Sequence, residues 1–290
     1  MPPINRRQFL KIAGLGLGGA LLTPKVACAA ANGGDPNKHI GMLYDSTLCV
    51  GCNACTVACR DWNGTPVELD ETGKYDMPYE LTADTWTLMQ IYQGSEKHAF
   101  VKRQCMHCVD PGCVSGCPVH ALEKTANGPV TYDADRCIGC RYCMYACPYH
   151  VPRFEWDETL PLIAKCTLCD DRLANGDGPA CAEICPTGAL IWGERGNLLE
   201  EAEGRIAAEP DRYVDYVYGK DEAGGTSVFY LSDVDYENLG LENFGPDPIP
   251  KISEETGNLV IPTILIGGPL VLAAVRSISK REGWEESWPF

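Results

Sequence analysis

At 290 residues the chain is long enough for one large core or two small ones, and a formal net charge of −16 with no Lys/Arg-rich run makes nucleic acid an improbable partner. Its 17 cysteines are the anomaly of composition. In an exported chain they would ordinarily form disulfides, but disulfide frameworks scatter their cysteines and these fall into tight groups.

The chain opens with NRRQFLK, residues 5 to 11, followed by a Gly-rich apolar run over 12 to 22 and small residues at Ala27, Cys28, Ala29 and Ala30. This is the form of a twin-arginine export signal with a small-residue cleavage site, and it sets a leader over 1–30. About eleven apolar residues fall short of the roughly twenty that a bilayer span needs. Cys28 is expected to leave with the signal, because Lys25 stands where a lipobox wants an apolar residue.

A four-group cysteine region is expected over 31–200. GMLYDST reads as a short strand entering the first group, Cys49, Cys52, Cys55 and Cys59, and TVACRD as a helical turn leaving it. TWTLMQIY, residues 85 to 92, alternates like a strand, with AFVKRQC as its hairpin partner. Trp62, Trp86 and Tyr92 read as packing residues. The second group is Cys105, Cys108, Cys113 and Cys117. Asn127-Gly128 then sits between two short strand candidates as a hairpin signal.

The third group, Cys137, Cys140, Cys143 and Cys147, closes with Pro148 in the spacing C-x-x-C-x-x-C-x-x-x-C-P. That is the spacing of a bacterial [4Fe-4S] loop, in which three thiolates wrap one cubane and the fourth reaches a neighbouring one. The first group repeats it, the second adds two residues before its third cysteine, and the fourth, Cys166, Cys169, Cys181 and Cys185, carries a longer insertion. Four groups of four thiolates predict four [4Fe-4S] clusters. A zinc site built of two C-x-x-C pairs leaves the third cysteine of each run without a place. His107 and His150 could ligate, but with sixteen thiolates in place they read as hydrogen-bonding or packing residues. No arrangement suggests a catalytic nucleophile, which weighs against a free-standing enzyme.

GALIWG after Cys185-Pro186 repeats the strand that follows each loop, so the fold class is α+β with two ferredoxin-like two-cluster subdomains. Residues 198 to 208 look helical and 213 to 230 extended. The segment 201–257 is expected to be an extension ending in a proline-rich linker over 243–257. Residues 259 to 275 carry no charge and are followed by Arg276, Lys280 and Arg281. That pattern predicts a single transmembrane helix over 258–278 and a cytoplasmic tail over 279–290.

GMLYDSTLCVGC, CMHCVDPGC, CIGCRYCMYACPYHVPRF and the terminal anchor together resemble the periplasmic ferredoxin-like subunit of hydrogenase-2-type [NiFe] hydrogenases. That group lies in a wider family with the β subunit of membrane formate dehydrogenase and the iron-sulfur subunit of dimethyl sulfoxide reductase. The resemblance implies a non-catalytic electron-transfer subunit on the periplasmic face of the cytoplasmic membrane. Its implied partners are hydrogenase small and large subunits, or a molybdopterin catalytic subunit, and an integral membrane quinone-reactive subunit.

The resemblance also implies the ligand sets. Cluster 1 takes Cys49, Cys52, Cys55 and Cys185; cluster 2 takes Cys166, Cys169, Cys181 and Cys59. Cluster 3 takes Cys105, Cys108, Cys113 and Cys147; cluster 4 takes Cys137, Cys140, Cys143 and Cys117. The chain departs from the pattern at Cys59, which is followed by Arg60 and not by proline.

Overall fold

The computed structural model describes residues 34–67, 72, 78–95, 97–156, 158–159 and 161–281. The expected leader, Cys28 and nearly all of the expected tail lie outside them.

Strand β1 (Ile40–Asp45) is the spine of the fold. It pairs antiparallel with β8 (Leu190–Glu194) on one side and parallel with β9 (Val228–Leu231) on the other. A strand flanked on both edges and covered on both faces must be apolar throughout. Met42 and Tyr44 accordingly point into the core beneath the cysteine loops, while Leu43 meets Leu198, Ala202 and Ile206 of helix α6 (Arg195–Ala208). Gly41 is required here, since a Cβ would stand 2.2 Å from the Ser227 carbonyl oxygen. Asp45, fully buried at the strand end, is satisfied by Arg205 Nη1 at 3.1 Å and by the Tyr213 hydroxyl at 2.9 Å.

The expected hairpin over 85 to 105 is present as β2 (Leu88–Gln93) and β3 (His98–Arg103), paired antiparallel with Leu88 opposite Arg103. β4 (Leu122–Lys124) and β5 (Val130–Tyr132) flank the Asn127-Gly128 turn, where Gly128 takes φ 110° beneath His39. β6 (Arg153–Phe154) and β7 (Ile163–Ala164) form a two-residue ladder.

Most helices beside the loops are too short to persist alone. After α1 (Ala54–Asn63) come α2 (Gly112–Ser115), α3 (Tyr142–Ala146), α4 (Asp170–Ala174) and α5 (Ala180–Glu183). What holds them is their attachment to the cysteine loops and the cores beneath. The described parts of both cysteine-rich halves belong to a single unit, so the two ferredoxin-like parts are not separate bodies.

The C-terminal segment differs from expectation in two ways. Helix α7 (Pro250–Arg281) begins within the predicted linker, leaving only 243–249 irregular. Proline suits the first position of a helix, where its missing N–H costs nothing, and the residues after it include no breaker until Gly257. Second, among the described residues no helix is long and apolar enough to cross a membrane, so the predicted span over 258–278 is a helix but not an established crossing. Many of its apolar side chains are exposed, among them Ile264, Leu270 and Leu272.

Candidate metal centre: four thiol sets

The four loops share a backbone that their sequences conceal. In each C-x-x-C run the third residue has positive φ: Gly51 at 66°, His107 at 45°, Gly139 at 67° and Leu168 at 59°. The left-handed region is natural for glycine and costs roughly 1 kcal/mol or more for other residues. In three of the runs this residue's N–H reaches the first cysteine sulfur at 3.4 Å, from Gly51 to Cys49, Gly139 to Cys137 and Leu168 to Cys166. The turn therefore curls the chain around its own sulfur.

A second repeat closes three of the groups. After Cys117-Pro118, Cys147-Pro148 and Cys185-Pro186, the residue three beyond the cysteine is again left-handed: His120, His150 and Gly188. Each donates its N–H back to that cysteine's carbonyl, at 3.3, 3.2 and 3.4 Å. His150 is exposed and shares its place with a glycine, so it is a turn residue. Cys59, lacking the proline, sits inside α1. There the Asn63 amide donates to its carbonyl at 2.7 Å and lies 3.6 Å from its sulfur.

Small pockets gather the thiols. One is lined by Cys49, Cys52, Cys55 and Cys185. Another is lined by Cys59, Cys166, Cys169 and Cys181, and a third by Cys117, Cys137, Cys140 and Cys143. In each, three sulfurs come from one loop and the fourth closes another. Cys105, Cys113 and Cys147 are buried and Cys108 half-buried, and Cys105 packs with Cys147 in one core. All sixteen thiols are free. Among the described residues no group of three or more His, Cys, Asp or Glu side chains is arranged to hold a single metal ion. Four free thiols facing one pocket are the donor set of a cluster with soft thiolate ligands.

Packing also joins the sets. Cys181 shares a core with Cys49, Cys55, Cys108 and Cys185; Cys166 shares one with Cys105 and Cys147; Cys113 shares one with Cys117, Cys137 and Cys143. Only Cys52 and Cys140 of the sixteen are exposed, and they belong to different sets, those of Cys49 and Cys137.

Burial governs the electrostatics. It pushes Cys143 up to about 11, reinforced by Cys117 and Cys137, and Cys147 up to about 11. Burial with the neighbouring Cys105 and Cys181 pushes Cys166 up to about 12. Cys185 goes the other way: burial raises it, but N–H donors from Leu190, Thr187 and Ala189 outweigh that and lower it. Lys102 would be pulled down by burial, yet Cys181, Cys55 and Cys166 hold it above the ordinary lysine value.

His107, which the sequence left between hydrogen bonding and packing, has a defined role. Its Nδ1 accepts from Val130 N–H at 2.9 Å, which places the ring proton on Nε2, 3.6 Å from Cys166 Sγ. A residue of one loop thereby touches the sulfur of another. Trp62 is not core packing: half its surface is exposed, its indole N–H donates to Asp171 at 2.9 Å, and Arg172 stacks 4.4 Å over the ring. Trp86 and Tyr92 do pack against cores. Sequence reading missed three buried lysines, Lys102, Lys124 and Lys165; their position beside cysteine loops was the available signal.

Comparison with known proteins agrees with this geometry. The 4Fe-4S dicluster domain family matches residues 96–195. A protein of Nitratidesulfovibrio vulgaris is 40% identical over 290 residues, covering 96% of this chain and 78% of its own length. Hydrogenase-2 operon protein HybA of Escherichia coli is 41% identical over 277 residues, 82% of this chain and 84% of that protein. The nitrate-inducible formate dehydrogenase iron-sulfur subunit of Escherichia coli is 40% identical over 205 residues, 68% of this chain and 69% of that one. The chain belongs to the family of iron-sulfur proteins that includes hydrogenase-2 operon protein HybA and the formate dehydrogenase iron-sulfur subunits.

Proposed function

We propose that this chain is a non-catalytic electron-transfer subunit carrying four [4Fe-4S] clusters, on the periplasmic side of the cytoplasmic membrane, between a [NiFe] hydrogenase and a quinone-reactive membrane subunit. The observation that carries this is three pockets, each lined by four cysteines from two loops. Three ligand sets are those that line these pockets, and Cys105, Cys108, Cys113 and Cys147 form the fourth. Bound clusters each supply one-electron redox chemistry. The chain supplies their spacing, their burial and two surface ends at Cys52 and Cys140.

Export by the twin-arginine route suits a protein folded around its cofactors before it crosses the membrane, and residues 1–30 carry that pattern. Exposed apolar side chains along α7, followed by Arg276, support contact of that helix with lipid as a single C-terminal anchor. A second reading, a formate dehydrogenase partner, is favoured by the 40% identity to such a subunit. The chain's own export signal favours the hydrogenase.

Purification from membranes in mild detergent, with identification of the co-purifying chains, tests the partnership. Hydrogen added to that preparation is expected to reduce the clusters, and reduction by formate alone would transfer the reading to the second partner. Cys140→Ser should leave donor oxidation by a dye intact while quinone reduction falls. Unchanged quinone reduction in a variant shown to lack that cluster would end the electron-wire reading.

A further inference from the structure

Three lysines lie almost fully inside the protein: Lys102 on β3, Lys124 at the end of β4 and Lys165 beside Cys166. An ammonium removed from water needs a compensating anion, since hydrogen bonds to neutral groups do not cancel its charge. Among the described residues none of the three has a carboxylate in ion-pair distance. Their partners are neutral oxygens. Lys102 Nζ donates to Thr87 Oγ1 at 2.5 Å and to Gln104 Oε1. Lys124 donates to the carbonyls of His107 and Cys108 at 3.1 and 2.8 Å, and Lys165 to those of Val130 and Cys166.

Position supplies the missing anion. Lys102 lines the cavity of Cys49, Cys52, Cys55 and Cys185, and its strand leads directly into Cys105. Lys124 and Lys165 hold backbone oxygens of the cysteine loops themselves. A [4Fe-4S] cluster with four thiolates is a net anion, and it gains one more negative charge on reduction. The set around Cys137 lacks such a cation: Arg141, which lines its cavity, is exposed and stacks 4.8 Å over the rings of Phe154 and Trp156.

Resting on the four-cluster reading, we propose that Lys102, with Lys124 and Lys165, is a built-in counter-cation of the buried clusters. Lys102 raises the reduction potentials of two clusters: that of the Cys49 set, whose pocket it lines, and that of the Cys166 set, whose pocket is lined by the Thr87 and Gln104 that accept from its ammonium. It is a positioning residue for charge and touches no substrate. An ammonium in low dielectric favours the reduced, more negative form, so removing it disfavours that form.

The test is an EPR-monitored redox titration of the full chain with its co-purifying partners, comparing the natural protein with Lys102→Gln and Lys102→Met. Iron and sulfide are counted first. If the natural protein does not hold four clusters, the underlying reading fails independently of this one. With four clusters present, two of the four potentials should fall by about tenfold in the one-electron equilibrium constant, ~59 mV, and Lys102→Arg should restore them. Potentials all unmoved, or all four shifted alike, overturn the proposal. If both neutral variants lose clusters, recovery of full iron content in Lys102→Arg supports a charge requirement, and failure of Lys102→Arg as well assigns Lys102 to shape and overturns it.

Discussion

The half of the molecule built on the first and fourth loops and the half built on the second and third use the same cysteine grammar on unequal scaffolds. The first has a three-stranded sheet, a ten-residue helix and the fourteen-residue α6, with Leu43 and Met42 buried on opposite faces of β1. The second has a three-residue hairpin, a two-residue ladder and helices of four and five residues. Segments that short do not persist on their own; the first half has them too in α4 and α5, but there the sheet and α6 add a core of their own. The second half is therefore expected to depend more on what its thiols hold.

The sharpest way to break this comparison is to remove the iron. Hydrogen exchange after anaerobic chelation should show β4 to β7 losing their protection while β1, β8 and β9 keep theirs. Equal loss in both halves would erase the distinction. A smaller effect of the opposite location is expected from Leu43→Ala, which empties a fully buried site between β1 and α6 and should cost about 2–5 kcal/mol by denaturant titration of the loaded protein.

Glycine at one loop position separates the halves again. A Cβ on Gly139 meets nothing closer than 3.6 Å, so Gly139→Ala should cost only the left-handed backbone, roughly 1–2 kcal/mol. A Cβ on Gly51 would stand 2.2 Å from the Phe100 ring, which must move as well. Gly51→Ala should therefore destabilise more. If the two cost the same, Phe100 is free to yield.

Loading should also differ with pH. Iron binds thiolate, so a thiol whose value is raised must release its proton on binding, and its affinity for the cluster grows as pH rises. Cys166, pushed up to about 12, and Cys143 and Cys147, pushed up to about 11, put that dependence in the sets they belong to, while the lowered Cys185 weakens it in the Cys49 set. Reconstitution at pH 6.5 should fill the Cys49 set ahead of the Cys105, Cys137 and Cys166 sets, and at pH 8.5 the gap should close. Filling in the reverse order at the lower pH would contradict the electrostatics.

What was legible in the sequence was whatever depended on near neighbours. The cysteine groups, β1, the β2–β3 hairpin, the Asn127-Gly128 turn and the α6 helix all follow from local spacing and alternation. The parallel pairing of β9 with β1 joins residues nearly two hundred apart and leaves no local trace. His107 and Leu168 hide the left-handed loop position because neither is glycine; only alignment against Gly51 and Gly139 exposes it. Lys102 looks like any strand-end lysine until the thiols around it are placed. The start of α7 was missed because Pro250 reads as a breaker when it opens the helix.

The central claim is that the sixteen cysteines hold four clusters, and the direct measurement is iron and acid-labile sulfide in anaerobically purified protein, with zinc determined on the same sample. The account predicts about sixteen of each per chain and no stoichiometric zinc. About eight irons, or zinc in their place, would contradict it.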